Sequence, residues 1–444
     1  MSSFADCPLE VIEVVIDLLQ DDLDALKACS QTCKALLPLC RKYIFQSLYL
    51  VTSSQPINYP IYDSGSPSSV TVIRPKFWHF LDANPTISEY VHTLAFFTNT
   101  YDCWNDDIPR VLERLHHVRS CHLISRTFTE GWIKASPRLR DTLLRVVQSH
   151  SITCLAISVV DFPITAFHAC VNLTDLSVSY VDFDSTDVDE QESSALISPN
   201  LDLEASDVRV PRLQVYTYGY MSGRYAMRLL NAKCPNGGPM LDFTNVQRLT
   251  IFVGEHLDLP VAHALVNATN KLETLRYNGT PQKRKADSYT HSHLLVGDFT
   301  DGYASFAPSI NKPSLSTLKR LHLSYKIHEH RCLIDLVSGI REELGILSGL
   351  SNVIKEIAVK AQFPLFSPGD LCVWGMLDTV ISNGFPMLRR VSLDIQMSIT
   401  SDVWMEAGVK EEVDEIPTKY LPWLSNSTTV LFSFSWNNIT SFED

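Results

Sequence analysis

A short apolar phrase of the form L-x-x-L-x-L recurs along most of the chain and is its most persistent pattern. Apolar residues alternate with other residues over its last three positions, which is the period of a β-strand. We therefore predict a strand at each copy. The copies are Val91-Leu94-Phe96, Val118-Cys121-Leu123, Ile152-Leu155-Ile157, Leu173-Leu176-Val178, Leu213-Tyr216-Tyr218, Val246-Leu249-Ile251, Leu272-Leu275-Tyr277, Leu318-Leu321-Leu323, Ile354-Ile357-Val359 and Leu388-Val391-Leu393, with a weaker last copy at Val430 and Phe432.

Most copies are separated by segments whose apolar residues lie three or four positions apart, the spacing of one helix face. A strand followed by a helix, repeated about eleven times, stacks into a curved solenoid with a parallel sheet on its concave face. The predicted fold class is therefore α/β, and this array covers residues 76–444. The helical segments are Ile108 to Leu115, Leu139 to Val147, Val261 to Val266, Cys332 to Leu347 and Leu371 to Ile381.

Several copies have Pro or Asn two positions before their first apolar residue, as in Pro211-Arg212-Leu213 and Asn270-Lys271-Leu272. With these leading residues the phrase resembles divergent leucine-rich repeats. Some intervals exceed the ~20 to 29 residues of a regular repeat, so the number and register of the repeats stay open. The alternative is a doubly wound domain with parallel strands, which would need a glycine-rich nucleotide turn that the sequence lacks.

Residues 5–50 carry a helical pattern instead, and we predict a separate helical module there. Apolar residues fill the stretch from Val11 to Leu19 except at Glu13 and Asp17. They cover nearly the whole circumference of a helix that begins near Pro8, because proline is tolerated in a first helical turn.

Two further elements complete the predicted module. Apolar residues from Leu26 to Leu37 predict a second helix that Pro38 ends, because proline cannot continue a helix. The stretch from Arg41 to Leu48 predicts a third short helix or turn. Residues 51–75 are rich in Ser, Pro, Gly and Tyr and predict a linker to the array.

The module has more apolar surface than its interior can use, because about 45 residues is near the smallest unit that buries its own core. This surplus predicts a docking face. The module resembles the F-box, especially the F-box of mushroom-type fungi. The resemblance rests on Cys7-Pro8-Leu9-Glu10, Ile16 and Leu19, Asp22-Leu23 to Leu26, and Cys33-Lys34-Ala35-Leu36, with Cys7 where leucine is usual and Leu36 where tryptophan is usual.

The resemblance implies that these helices bind the adaptor subunit of a cullin-RING (SCF-type) ubiquitin ligase. The residues assigned to that contact are Pro8, Leu9, Ile12, Ile16, Leu19, Leu26, Cys33 and Leu36. Some of them must face the module's own core, and the sequence does not divide the two sets. The alternative is an ordinary helical subdomain that packs on the rest of the chain.

Composition narrows the class of partner. The net charge is −13, with 37 Lys and Arg against 50 Asp and Glu, which argues against nucleic acid and anionic membranes as partners. No apolar run reaches the ~18 to 20 residues of a membrane span, and no basic signal peptide opens the chain. We expect a cytoplasmic or nuclear protein, or both, whose eleven cysteines are free thiols, with Cys29 and Cys33 in a core.

No local motif of catalysis is present, and we predict no catalytic residue, no cofactor and no metal. The Walker, dinucleotide, zinc-protease and nucleophile-elbow patterns are absent from the sequence. The nearest approach to a metal cluster is His328-Glu329-His330 with Cys332, which we interpret as surface histidines before a helix. Two polar inserts, Asp182 to Asp207 and Tyr277 to Pro313, are interpreted as loops.

By resemblance, F-box proteins with repeat domains are non-catalytic substrate receptors of ubiquitin ligases, and we expect that function here. The first alternative is a repeat scaffold outside any ligase, whose N-terminal helices cap the solenoid. The second is an enzyme on a parallel sheet with dispersed catalytic residues.

Alternation within the strand phrase also predicts which residues face a target protein. The outward positions of the middle and late copies carry the residues that we assign to target binding, Arg248, Arg276, Arg320, His322, Lys360 and Arg390. Their positive charge predicts an acidic or phosphorylated target segment, because Arg pairs bidentately with carboxylate and phosphate. The alternative is that these are ordinary solvated residues at the start of strands.

Overall fold

The computed structural model divides the chain into two compact units, residues 1–211 with 232–241 and residues 212–231 with 242–444. The residues that it describes are 8–51, 70–98, 105–125, 132, 135–158, 162–179, 209–219, 223–234, 236–253, 259–279, 305–326, 333–363, 368–397 and 409–438.

The first unit begins with three helices, α1 (Leu9–Leu18), α2 (Leu23–Thr32) and α3 (Leu37–Ile44). The Asp22 carboxylate caps α2 by accepting the Ala25 N–H at 2.9 Å. The predicted extension of the second helix to Pro38 is wrong. Cys33 is extended, with φ −149° and ψ 135°, so α2 ends before it. Pro38 lies in the first turn of α3, where its missing N–H costs no helical hydrogen bond.

These helices enclose a small apolar core formed by Ile12, Ile16, Leu26, Leu36, Cys40 and Ile44. Only Phe45 and Gln46 separate α3 from the first strand, β1 (Ser47–Val51). The Gln46 carbonyl accepts the N–H groups of His92 and Thr93, each at 3.0 Å. The end of the helical module is therefore bound by backbone hydrogen bonds to the sheet of the first unit.

Six strands form the sheet of the first unit among its described residues, in the order β6-β5-β4-β3-β1-β2. All of their pairings are parallel. The second strand, β2, lies in the range predicted as linker. The remaining strands are β2 (Thr71–Ile73), β3 (Thr93–Thr98), β4 (Ser120–Ser125), β5 (Cys154–Ser158) and β6 (Asp175–Val178), and the helices are α4 (Trp78–Ala83), α5 (Ile87–Tyr90), α6 (Asp107–Leu112) and α7 (Pro137–Val147).

The sheet of the first unit has apolar residues on both faces at β1 and β3. Leu48 pairs with Leu94 on the side of the main core. The alternate residues Tyr49, Val51 and Phe97 form a second buried cluster with Ala95. Strands buried on both sides are nearly continuous in apolar residues, and β1 follows that rule because all of its residues are buried.

The second unit continues the strand–helix alternation with seven described strands, in the order β13-β12-β11-β10-β9-β8-β7, all parallel. The strands are β7 (Val215–Tyr218), β8 (Arg248–Val253), β9 (Thr274–Gly279), β10 (Arg320–Lys326), β11 (Glu356–Phe363), β12 (Arg390–Met397) and β13 (Leu431–Asn438). The helices are α8 (Gly223–Asn231), α9 (Leu259–Ala268), α10 (Lys312–Leu315), α11 (Leu333–Ser348), α12 (Gly375–Gly384), α13 (Val409–Asp414), α14 (Ile416–Lys419) and α15 (Pro422–Asn426).

A strand lies at each predicted phrase, although the last one, β13, begins one residue after Val430, and the pairing gives the register that the sequence left open. In the second unit the middle apolar residue of each phrase pairs with that of the next, from Tyr216 and Leu249 to Val391 and Phe432. The same holds from Leu94 to Leu176 in the first unit. The α/β class with parallel strands is therefore correct, and a stacked strand–helix array is compatible with it.

Buried polar side chains link successive repeats of the second unit. Asn352, after α11, donates from Nδ2 to the Gly384 carbonyl of α12 at 3.2 Å. Glu343, on α11, accepts hydrogen bonds from the Ser305 hydroxyl at 2.8 Å and from the Phe306 N–H at 2.9 Å. Because such groups are costly to bury without partners, each of these bonds fixes the position of one repeat on the next.

No described helix combines the length and the apolar character that crossing a membrane requires.

Candidate docking and target-binding surfaces

Helix α1 has two apolar faces, and only one of them is covered. Ile12 and Ile16, one turn apart, are 7% and 2% exposed in the module core. The opposite side of the helix carries large apolar side chains that remain in solvent. They are Leu9 at 55% exposure, Val11 at 49%, Val14 at 58%, Val15 at 44% and Leu18 at 80%, and we call them the exposed face of α1.

The structure divides the predicted adaptor-binding residues into two sets. The buried residues Ile12, Ile16, Leu26 and Leu36 belong to the module core, and Leu19 packs against that core. Pro8, Leu9 and Cys33 are exposed. Sequence reasoning missed Val11, Val14, Val15 and Leu18. Their spacing of three, four and seven residues places them on one side of the helix, but it does not indicate that this side is the exposed one.

A polar contact between α1 and α3 helps to set the direction of the exposed face. The Tyr43 hydroxyl donates to the Asp17 carboxylate, and the Lys42 ammonium donates to the Tyr43 oxygen at 3.2 Å. Burial and the bond to Asp17 raise the pKa of Tyr43, which stays a neutral donor at physiological pH. The turn of α1 that carries Val14 and Leu18 is therefore held on α3 from its polar edge.

The cysteines behave as packing or surface thiols. The predicted core position of Cys33 is wrong, because it lies exposed beyond the end of α2, whereas Cys29 is partly buried against the core. In the first unit, burial raises the pKa of Cys121, on β4, and of Cys170, before β6, to about 12. These two thiols are therefore unreactive at neutral pH.

The second unit presents a polar surface on the side of its sheet opposite the helices. Along β8, β10, β11 and β12 every second residue is buried, and the residues between them are exposed or half-buried. Parallel pairing aligns these outward residues in rows across the strands, as for Arg276, His322 and Ala358. We call this surface, formed by the outward residues of β8 to β12, the sheet face.

The predicted target-binding cations lie on the sheet face, as the strand alternation requires. Arg248, Arg276, Arg320, Lys360 and Arg390 are all exposed. None of them forms an ion pair with another described residue. Glu356 lies between Arg320 and Arg390 in the register yet pairs with neither of them. These cations are therefore available to a ligand.

Besides Glu356, two acidic groups near these cations have other partners. Asp394 accepts a hydrogen bond from the Ser435 hydroxyl at 3.0 Å. Glu273 and Lys319 each lie one residue before a strand, β9 and β10, and they form an ion pair at 3.0 Å. The protein is acidic overall, so the excess positive charge here is local to this surface.

His322 lies in the middle of this surface and is half-buried. Its Nε2 atom is buried and has no hydrogen-bond partner among the described residues. Burial lowers the pKa of His322, as do the positive charges of Arg276 and Arg320, while Glu356 opposes them.

The first unit lacks such a surface in its described strands. No residue of β3, β4, β5 or β6 is Lys or Arg. The outward residues of β3 include the apolar Ala95 and Phe97, which are buried. The cationic character therefore belongs to the second unit and does not follow from the strand phrase itself.

Among the described residues, no group of three His, Cys, Asp or Glu side chains is placed to hold a metal ion. The cluster from His328 to Cys332 and the insert from Asp182 to Asp207 lie outside those residues. No protein-family model matches the sequence, and no curated protein matches it either.

Proposed function

We propose that the chain is a substrate receptor of a cullin-RING ubiquitin ligase, with the exposed face of α1 docking on the adaptor subunit and the sheet face holding a target protein. The observation that carries the proposal is the exposed face of α1, on a helix whose other side is already packed. It adds to the resemblance of residues 7–36 to the F-box.

The energetics favour an occupied face. Burying an apolar side chain of this size contributes roughly 1.5 to 3 kcal/mol, and Leu9, Val11, Val14 and Leu18 each have about half or more of their surface to bury. Contiguous apolar patches of this kind on soluble proteins mark interaction sites.

The receptor would act without covalent chemistry of its own. By holding a target in the same complex as a ubiquitin-loaded enzyme, it raises the effective concentration of the target's lysines at that enzyme. Such a receptor works in the cytoplasm, the nucleus or both, and it needs no cofactor.

The test is adaptor binding by the Val14→Asp variant, measured with purified adaptor by biolayer interferometry. We expect at least about a 30-fold loss of affinity, since the lost burial of ~2 kcal/mol is joined by the cost of placing a charge in the interface. Leu431→Asp is the matched control, because Leu431 is a leucine on β13 that is 62% exposed. Adaptor binding by Val14→Asp at the wild-type level would exclude the docking face.

A second candidate is the non-ligase scaffold whose helices cap the repeat array. The direct passage from α3 to β1, and the hydrogen bonds from the β3 end to Gln46, favour it. It predicts that deleting residues 1–46 exposes β1 and lowers the solubility of the remaining chain, with no adaptor binding by the intact protein.

A further inference from the structure

Several outward residues of β9, β10 and β11 around His322 are cations. Arg276 is its direct partner across the strand pair, and Arg320 precedes it by two residues on the same strand. Neighbouring strands lie ~4.8 Å apart, and alternate residues of one strand lie ~6.6 Å apart. Burial lowers the pKa of His322, and the positive charges of Arg276 and Arg320 lower it further, which agrees with their nearness in the register.

Ala358 is the partner of His322 on β11, and its side chain is only a methyl group. Lys360, two residues further along β11, pairs with Ser324 and is exposed. We call Arg276, Arg320, His322 and Lys360 the β10 cation cluster.

Uncharged donors complete the surroundings. Asn278 pairs with Ser324, so an amide and a hydroxyl lie in the row next to His322. Two acids lie in the register: Glu356 is across from Arg320, and Asp394, which accepts a hydrogen bond from the Ser435 hydroxyl, is across from Lys360. Three cations, one imidazole, one amide and one hydroxyl therefore lie at neighbouring outward positions of β9 to β11, with two carboxylates beside them.

We propose that the β10 cation cluster is a binding site for a phosphate monoester carried by an extended segment of the target protein. The inference rests on the proposed function in assigning the sheet face to a target. A phosphate monoester presents nearly two negative charges and three acceptor oxygens, which match two guanidinium forks and an ammonium. A single carboxylate would leave part of this donor set unused.

The cluster does not fit a nucleic acid. A strand of phosphates needs cations along a track, and its binding falls steeply as they are removed. On the described strands of the first unit no Lys or Arg is present, and the protein as a whole carries −13. One dense cluster suits one modified side chain.

The primary test follows the His322 ring by NMR in the full-length protein, titrated from pH 5 to 8 at constant ionic strength. We expect 20 mM inorganic phosphate, or phenyl phosphate, to raise the pKa of His322 by about 1 pH unit, because a bound dianion favours the imidazolium. The same concentration of acetate should leave it unchanged. Equal responses to acetate and phosphate, or none to either, would overturn the proposal.

Two charge-matched variants localise the effect. Arg276→Gln with Arg320→Gln should abolish the phosphate response and raise the pKa of free His322. Arg248→Gln with Arg390→Gln removes the same charge from the sheet face but lies outside the cluster, so it should keep the response. Loss in both variants, or in neither, would contradict the site.

A peptide array distinguishes a target segment from the free ion. Immobilised serine and threonine peptides, each with and without phosphate, are probed with the wild-type protein and both variants. We expect phosphorylated members to be retained at least tenfold more strongly, and only by proteins with Arg276 and Arg320. Retention independent of phosphate would refute a phosphopeptide site. Adaptor binding is measured on the same samples, so a failure of the ligase function with an intact phosphate response is recognised separately.

Discussion

Asp378 Oδ1 accepts the backbone N–H of Leu424 at 3.0 Å, across 46 residues of sequence. Its other oxygen accepts the N–H of Trp423 at 2.9 Å. These donors belong to the first turn of α15, so a side chain of α12 caps the helix of the following repeat. The last two repeats are therefore joined by one buried carboxylate.

We expect Asp378→Ala to destabilise the second unit by about 2 to 3 kcal/mol, because two buried N–H groups lose their acceptor. Urea unfolding followed by tryptophan fluorescence measures this loss, and hydrogen exchange should report early opening at 422–426. Asp394→Ala is the control, since Asp394 accepts only from the exposed Ser435 hydroxyl. Equal stability of the two variants would contradict the capping role.

The crossing of α12 and α11 predicts opposite effects for two glycines. A Cβ on Gly384 would lie 2.9 Å from the Ser348 Cα, which is closer than atoms pack, whereas a Cβ on Gly345 would meet nothing within 4 Å. Gly384→Ala should therefore cost about 1 to 3 kcal/mol. Gly345→Ala should stabilise the protein by ~0.5 to 1 kcal/mol through helix propensity. Thermal unfolding of both variants checks the sign of each change.

Glu343 predicts a dependence of stability on pH. Burial raises its pKa from 4.5 to about 7, although Ser305, Phe306 and Ala307 all donate hydrogen bonds to it. Because the folded-state pKa is above the unfolded value, the contribution of this group is fully present below about pH 4.5 and is lost as the pH rises through about 7.

Unfolding free energies measured between pH 5 and 8 should fall with rising pH in the wild-type protein. The slope should flatten in Glu343→Gln, because its amide does not titrate. An unchanged slope would mean that Glu343 stays ionised throughout this range.

The same substitution at two neighbouring positions of α1 should unfold the helix at one position and leave it folded at the other. Ile16→Asp places a charge in the core of the helical module, where Ile16 is 2% exposed, and should unfold α1. Val15→Asp changes a residue that is 44% exposed and should leave the module folded while weakening adaptor binding. Circular dichroism and adaptor titration on both variants separate folding from docking. Loss of helix in Val15→Asp would show that the face is covered in the free protein.

Strand positions were predictable because their period is local. The phrase with Leu321 and Leu323 places both residues on one face, and the pairing of Leu321 with Leu275 and Ile357 follows from the same burial. The first strand was harder. Arg41 to Leu48 has helical spacing, yet Phe45, Leu48 and Leu50 also fit the strand phrase, and β1 forms because Leu48 pairs with Leu94.

The division of the F-box-like residues was not predictable in the same way. A helix that is apolar all round gives no sequence signal for which side is covered. Ile16 is buried and Val15 is exposed because Leu26 and Leu36, which belong to other parts of the module, pack on the side of Ile16. The cations of the sheet face could be predicted by strand alternation. The capping of α15 by Asp378 could not, because no local pattern connects residues 46 positions apart.

The short turn between α3 and β1 has a mechanical consequence. Phe45 and Gln46 are too few to act as a hinge, and Gln46 is already fixed to β3 by two backbone hydrogen bonds. A partner bound by the helices therefore has a fixed orientation relative to the strands of the first unit, because the α3–β1 connection allows little rotation. Docking of the helices on a partner would therefore also fix the orientation of the strands of the first unit relative to that partner.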